Sequence, residues 1–357
     1  MANLLYKNDF DVARDRLKTW WDGGDIGRPA IQLMISRKEP REVIPAMPRP
    51  EGWIVDYSTS NFDFRLHNCL HSCSRAEFLA EAVPAVSPDL APNTLALFLG
   101  CRGVESPGTV WCEPFIEDPA MAKFEIRREN FYFDFCWRLA KATLQKCNGK
   151  FLLCYPDLIE GLDTLSAMRG TETLLMDMIE RPDWVHSSLS QITRCYFEVY
   201  DEMYEAFKDD RGGTVFWAWA PGRMAKLQCD FSAMISADMF NEFMMPVLRE
   251  MTGKLDYCMY HWDGVNAIQH HDHLLSLPKL SMIQWTPGAG QPGPSDRKWW
   301  PLHHKSLDAG KKLILAANKD EMLALKKEFG CQFKDIMLTM WADSKQAAEE
   351  ILELASD

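Results

Sequence analysis

No stretch of this 357-residue chain carries the roughly 18 consecutive apolar residues that a membrane-spanning helix needs. The N-terminus, MANLLYKNDFDVARDRLKTWW, is charged throughout and lacks the apolar core of a secretory signal, so a cytoplasmic location is expected. There is no basic block. With 39 Lys+Arg against 51 Asp+Glu, the formal charge of −12 argues against nucleic acid as a partner and says little about substrate beyond a soluble surface. No G-x-G-x-x-G follows any apolar run, which removes the main support for a dinucleotide-binding sheet. No flexible linker or internal repeat divides the sequence, so residues 1–357 are read as a single domain. The 11 cysteines are odd in number, scattered, and often set in apolar runs, as expected of small buried residues in a reducing compartment.

What the chain does have is 47% hydrophobic residues, enough for a large core, and a regular alternation of two periodicities. Helical spacing is expected at 9–22, 61–82, 128–147, 162–180, 182–208, 236–253, 266–275, 320–328 and from Ser344 to the end. Apolar runs predict strands at 29–36, 96–100, 150–157, 213–222, 255–264, 280–288, 311–318 and 335–343. Strands alternating with helices imply a parallel sheet covered on both faces. Eight such runs predict an α/β fold of the (β/α)₈ TIM-barrel type with an N-terminal helical extension.

In such a barrel the chemistry sits at the C-terminal ends of the strands. One strand ends in YHWDG, with His261 and Asp263 two residues apart and therefore on one side. An imidazole beside a carboxylate suits a metal site, with zinc or another divalent metal as the ion, or proton transfer near neutral pH. Glu160 and Cys229 are the candidate additional ligands, and Asp230 is a candidate catalytic or substrate-contacting acid. Asp157, Arg223, Gln284, Trp219 and Trp285 also fall at or near strand ends and are read as substrate-binding candidates. Among tryptophans 217, 219, 285 and 341, the second and third are preferred because they end their strands. The long loop WTPGAGQPGPSDRKWWP, 285–301, places Trp299 and Trp300 to close over a ligand.

Two further clusters carry less. RLHNCLHSCSR contains His67, Cys69, His71 and Cys73, but the helical pattern splits them into an i, i+4 pair of each kind rather than one ligand set. QHHDHLL, 269–275, lies on a helix, where its histidines are read as surface or helix–helix contacts.

The segments LQCDFSAMISADMFNEFMMPVL, LDYCMYHWDG, LSMIQWTPGAG and FLGCRGVESPGTVWCEPFIEDP resemble the uroporphyrinogen decarboxylase superfamily, and within it a bacterial branch. The resemblance implies a (β/α)₈ barrel with its cleft at the strand C-termini. It also implies one of two activities, decarboxylation or methyl transfer to and from corrinoid proteins or thiols, often with zinc. True decarboxylases of that superfamily carry an arginine-rich stretch after the first strand, where this chain has MISRKEP and only Arg37. They carry FSD after the second strand and GHG at the eighth, where this chain has LFLGC and MWADS. The corrinoid methyltransferases carry His-x-Cys where this chain has His261 and Asp263, and a second cysteine near the position of Ala342. A thiolate zinc site is therefore not expected, whereas a His/Asp site is. The resemblance thus implies a methyltransferase-like enzyme that moves a methyl group between a small substrate and a corrinoid carried by a partner protein. A decarboxylase or lyase of a small acid using Arg223 or Arg37, and a non-catalytic binding barrel, are the alternatives. Homodimers are common among such relatives, and 13 tryptophans leave room for an apolar interface.

Overall fold

Strands that are apolar along their length form where helices can cover one face and a core can fill the other. The computed structural model describes residues 3–52 and 56–356. In chain order its strands are β1 (Ala30–Ser36), β2 (Ala76–Ala80), β3 (Ala85–Val86), β4 (Arg102–Ser106), β5 (Thr109–Glu113), β6 (Leu152–Leu153) and β7 (Thr214–Phe216). They continue with β8 (Ala218–Ala220), β9 (Met224–Gln228), β10 (Tyr257–Asp263), β11 (Met282–Thr286), β12 (Lys312–Ala316) and β13 (Ile336–Trp341). The fold is mixed α/β around one parallel sheet in the order β2-β1-β13-β12-β11-β10-β9. Every neighbour in it is parallel except the edge strand β2, which runs antiparallel to β1. A separate parallel pair joins β3 to β6.

The register shows which face does what. Ile31, Leu33, Ile35, Leu313, Leu315, Leu338 and Met340 lie on one face and are all buried. On that face the helix Trp300–Asp308 packs on β12 and the helix Lys345–Ser356 packs on β1. On the opposite face burial fades toward the C-terminal ends of β1, β11, β12 and β13, while β9 stays buried throughout. Met337 is buried, Thr339 is half-buried and Trp341 is 53% exposed. This second face is therefore open at the C-terminal ends and sealed at the N-terminal ends. The seal is the helix Phe10–Trp21. Its Trp20 indole donates to the Lys334 carbonyl at 2.7 Å, and Lys312 Nζ sits 4.3 Å from the same ring. Trp21 packs against Tyr257, the first residue of β10, at 5.2 Å.

Several expectations need correction. The run 96–100 lies within and just after a helix, Thr94–Leu99, in which all six residues are buried. A short segment covered on every side shows no helical periodicity, so it cannot be told from a strand. The expected strand 213–222 is an antiparallel hairpin of β7 and β8 outside the main sheet, with Trp217 at its turn. The sheet strand is instead β9, inside what reads as a loop, because Lys226 and Gln228 interrupt its apolar pattern. The helix expected over 61–82 stops at Arg75, where the chain turns into β2. The strand at 150–157 is reduced to Leu152–Leu153.

The hairpin is closely packed at its base. A Cβ added to Gly213 would overlap the Trp219 indole, a rigid ring anchored by its Nε1–H on Asp209 at 2.9 Å. Gly213→Ala is expected to cost about 1–3 kcal/mol by overpacking, measured as a lower urea midpoint with an unchanged slope.

Candidate active site

The C-terminal ends of β9, β10 and β11 set polar side chains side by side. Residues two apart on a strand share a face, and the register aligns Gln228, His261 and Gln284 in one row. One step further toward the open end lie Asp263 and Thr286, with Asp230 immediately after β9. Asp230, His261 and Asp263 converge so that one ligand atom from each lies within 4.8 Å of the others. Among the described residues this is the one group of three such side chains placed to hold a metal ion.

Each member is positioned by a neighbour. His261 Nδ1 hydrogen-bonds Gln284 Oε1, and Gln284 Nε2 donates to Thr286 Oγ1 at 3.0 Å. An amide oxygen only accepts, so Nδ1 carries the proton and Nε2 keeps its lone pair for a metal or a substrate proton. Asp230 Oδ2 accepts from Gln228 Nε2 at 3.1 Å. The turn that begins at Asp230 is tied down by Asp163, whose carboxylate accepts from the backbone N–H groups of Asp230 and Phe231, both at 2.8 Å. Burial, with Asp230 nearby, pushes the Asp163 carboxyl up to about 7 despite those two donors. Burial also raises the Asp230 carboxyl above the ordinary value, and Asp263 adds to the rise while His261 opposes it.

Below this row lies an ion pair. Lys226 Nζ is 2.6 Å from Asp157 Oδ1, with side chains 1% and 14% exposed, and it also donates to Gln228 Oε1. A continuous polar chain therefore runs from Asp157 through Lys226 and Gln228 to Asp230. Above it stands Trp217, 46% exposed, its ring 5.3 Å from His261 and nearly perpendicular to it. Its φ is +54°, in the left-handed region that costs a side-chain-bearing residue about 1–3 kcal/mol. Trp217→Gly is expected to leave the unfolding free energy within about 1 kcal/mol, since relief of that strain offsets the lost contacts and the greater freedom of the unfolded chain. Chemical denaturation checks this.

The structure brings Asp157, Asp230, His261, Asp263 and Gln284 together, as expected. The other candidates are placed elsewhere. Glu160 is fully buried beside β9, where its Oε1 accepts from the Gln228 N–H at 2.9 Å. Its other oxygen has no partner among the described residues, and burial pushes its carboxyl well above the ordinary range. Cys229 points to the opposite face from Gln228 and Asp230, and burial pushes its thiol up, the wrong direction for a thiolate ligand. Trp285 is completely buried on the helix side, between Trp262 at 4.6 Å and Trp299 at 5.2 Å. Trp219 is buried beside Trp21, whose indole donates to its carbonyl. Arg223 precedes β9, at the opposite end from His261, where it pairs with Asp201 and lies over Tyr200 and Tyr204. Trp299 and Trp300 are not a lid. Their indoles donate to the Pro292 and Ser295 carbonyls within their own loop.

Lys226, Gln228, Asp163 and Thr286 are missed by the sequence reading. The signal available was the alternation Lys226, Gln228, Asp230, a period of two hidden by its polarity. The histidines of 269–275 are expected to make surface or helix–helix contacts. His270 and His271 are buried, and their Nε2 atoms meet the Ser232 carbonyl and Ser306 Oγ, each at 2.9 Å. The segment with His67 and Cys73 is helical, as expected.

Two cavities flank the sheet. One of about 360 Å³ reaches Asp230 and Asp163 and is walled by Trp111, Cys112 and Met234. A larger one of about 950 Å³ opens at the N-terminal ends, beside Tyr257, Lys311 and Asp335. The convergent donors lie at the other end, so its size alone does not mark it as the site. No helix among the described residues is long and apolar enough to cross a membrane. No protein-family model matches the chain, and no curated protein matches it.

Proposed function

We propose that the protein is a small-molecule enzyme of methyltransferase type, and that His261, Asp230 and Asp263 hold zinc or another divalent metal at its centre. The carrying observation is the convergence of one imidazole and two carboxylates within 4.8 Å on the solvent-open face of the sheet. The donor set fits a divalent ion. It has two hard oxygen donors and an imidazole whose outer nitrogen is tied to an amide carbonyl, the usual way a ligating histidine is oriented. A divalent metal held there supplies Lewis acidity toward a leaving oxygen or nitrogen. The chain itself orients that atom, walls it with Trp217, and keeps His261 in one tautomer.

The (β/α)₈ reading belongs to this proposal. It is supported by six strands, β1 and β9 to β13, that run parallel in one sheet, and by β3 and β6, which form a second parallel pair. The fading burial along one face is what the mouth of such a barrel requires. The likeness to the uroporphyrinogen decarboxylase superfamily supports a methyl donor of small size and a corrinoid protein as acceptor.

Lyase chemistry on a small acid is the second reading, and it loses its cations. Arg223 is at the far end, Arg37 donates to the Ala76 carbonyl and pairs with Glu77, and Lys226 is taken by Asp157. The test is incubation of the protein with O- and N-methylated small molecules and cob(I)alamin, read by the absorbance of methylcobalamin. His261→Ala should abolish the signal. Carbon dioxide release from carboxylic acids, with no corrinoid methylation in any arm, would reverse the order of the two readings.

A further inference from the structure

Two cysteines outside the His261 cluster face each other across a β-hairpin. Cys101 lies immediately before β4 and Cys112 lies on β5. The register pairs Arg102 with Glu113 and Gly103 with Cys112, which makes Cys101 the diagonal neighbour of Cys112 on the same face of the ribbon. Each thiol lies near enough to shift the ionisation of the other. The two differ in access. Cys101 is buried, its Sγ 3.6 Å from the Ala167 carbonyl, whereas Cys112 is half-buried and lines the cavity of about 360 Å³ that reaches Asp230. A cation stands beside the pair. The Arg127 guanidinium packs against Gly100 so closely that a Cβ there would lie 2.8 Å from it. Cys112 and burial together push the Cys101 thiol up, against the Arg127 charge, whereas Cys101 holds the Cys112 thiol below its ordinary value. An accessible thiol beside a buried one is the layout in which one cysteine reacts and the second resolves.

We propose that Cys101 and Cys112 form a reversible intramolecular disulfide, with Cys112 the reacting thiol and Cys101 the resolving one. The oxidant is a low-molecular-weight disulfide. Cys112 loses its proton and attacks one sulfur of that disulfide, whose S–S bond breaks, and the expelled thiolate is protonated. Cys101 then loses its proton and attacks Cys112 Sγ, expelling the second small thiol. Two protein thiols are oxidised to one disulfide, and one external disulfide is reduced to two thiols. The bond fastens β5, which carries Trp111 and Cys112 into the cavity wall, to the chain entering β4.

The test uses the full chain with the exposed Cys331 replaced, Cys331→Ser, to prevent cross-linking between molecules. The protein is exposed to oxidised glutathione, then alkylated and mapped with trypsin, which cuts after Arg102 and separates the two cysteines. The expected product is the Cys101 and Cys112 peptides joined with loss of two hydrogens and no retained glutathione. Alkylation of both thiols should fall at least tenfold and be restored by dithiothreitol. Cys101→Ser should stop the reaction at a Cys112–glutathione adduct, and Cys101→Ala serves if that variant does not fold. Glutathione retained on Cys112 with Cys101 intact would overturn the proposal, as would full alkylation of both thiols after exposure. Neither outcome depends on the metal reading of the His261 site.

Discussion

Replacing Asp263 by alanine is expected to abolish stable retention of zinc or another divalent metal. The wild-type set offers two carboxylates and one imidazole within 4.8 Å. Without Asp263, one carboxylate and one ring nitrogen remain, too few to hold an ion against water. The loss should exceed the roughly 10–100-fold that removing an outer partner costs. Gln284→Ala removes only the acceptor that orients His261 Nδ1, so it should fall within that roughly 10–100-fold range. Titration calorimetry with zinc and metal analysis of the purified proteins measure both. Equal losses in the two variants would show that Asp263 is not a ligand. The pH dependence has a definite sign. Metal binds the ionised carboxylates, and burial together with Asp263 raises the Asp230 carboxyl above the usual carboxylate value. Affinity should therefore fall as pH is lowered through a range higher than an exposed aspartate would give, with a proton released on binding. Asp230→Asn should remove that dependence along with most of the affinity.

Lys226→Met should produce a large loss of stability. Lys226 is 1% exposed and its Nζ lies 2.6 Å from Asp157, which is 14% exposed. A pair so far from water gains little over an apolar replacement when both partners change together, but removing one alone strands the other charge. The single change is expected to cost about 3–5 kcal/mol. Lys226→Met combined with Asp157→Asn should recover a large part of that, because no charge then remains unpaired. Urea unfolding of the four proteins of this double-mutant cycle gives the coupling. Additive losses would show that Lys226 and Asp157 are held independently. The same substitution also removes the donor to Gln228 Oε1 and so slackens the hold on Asp230.

Much of this arrangement was legible from residue order, and the parts that were not have physical reasons. The strands β1 and β10 to β13 are apolar along their length and stood out. The placement of His261 and Asp263 on one side followed from the two-residue repeat of a strand. β9 was hidden because its open-face positions carry Lys226, Gln228 and then Asp230, the polarity that makes the site useful. Trp219 and Trp285 look like mouth residues by their position, yet Trp219 lies on a hairpin outside the sheet and strand parity sends Trp285 to the helices. Only register decides which parity faces which way. Glu160 shows the limit most clearly. Its carboxyl group has the chemistry of a ligand, but it lies behind the strand, bonded to the backbone of Gln228, and burial pushes its carboxyl well above the ordinary range.

The helix Phe10–Trp21 bears on how the molecule is made. Its Trp20 indole meets the carbonyl of Lys334, 314 residues later in the chain. During synthesis the ribosome exposes this tryptophan-bearing segment long before its docking surface exists. The Trp20 indole therefore has no docking partner at Lys334 until that segment has emerged. Closing so long a loop carries an entropic penalty that the contacts of this helix must offset.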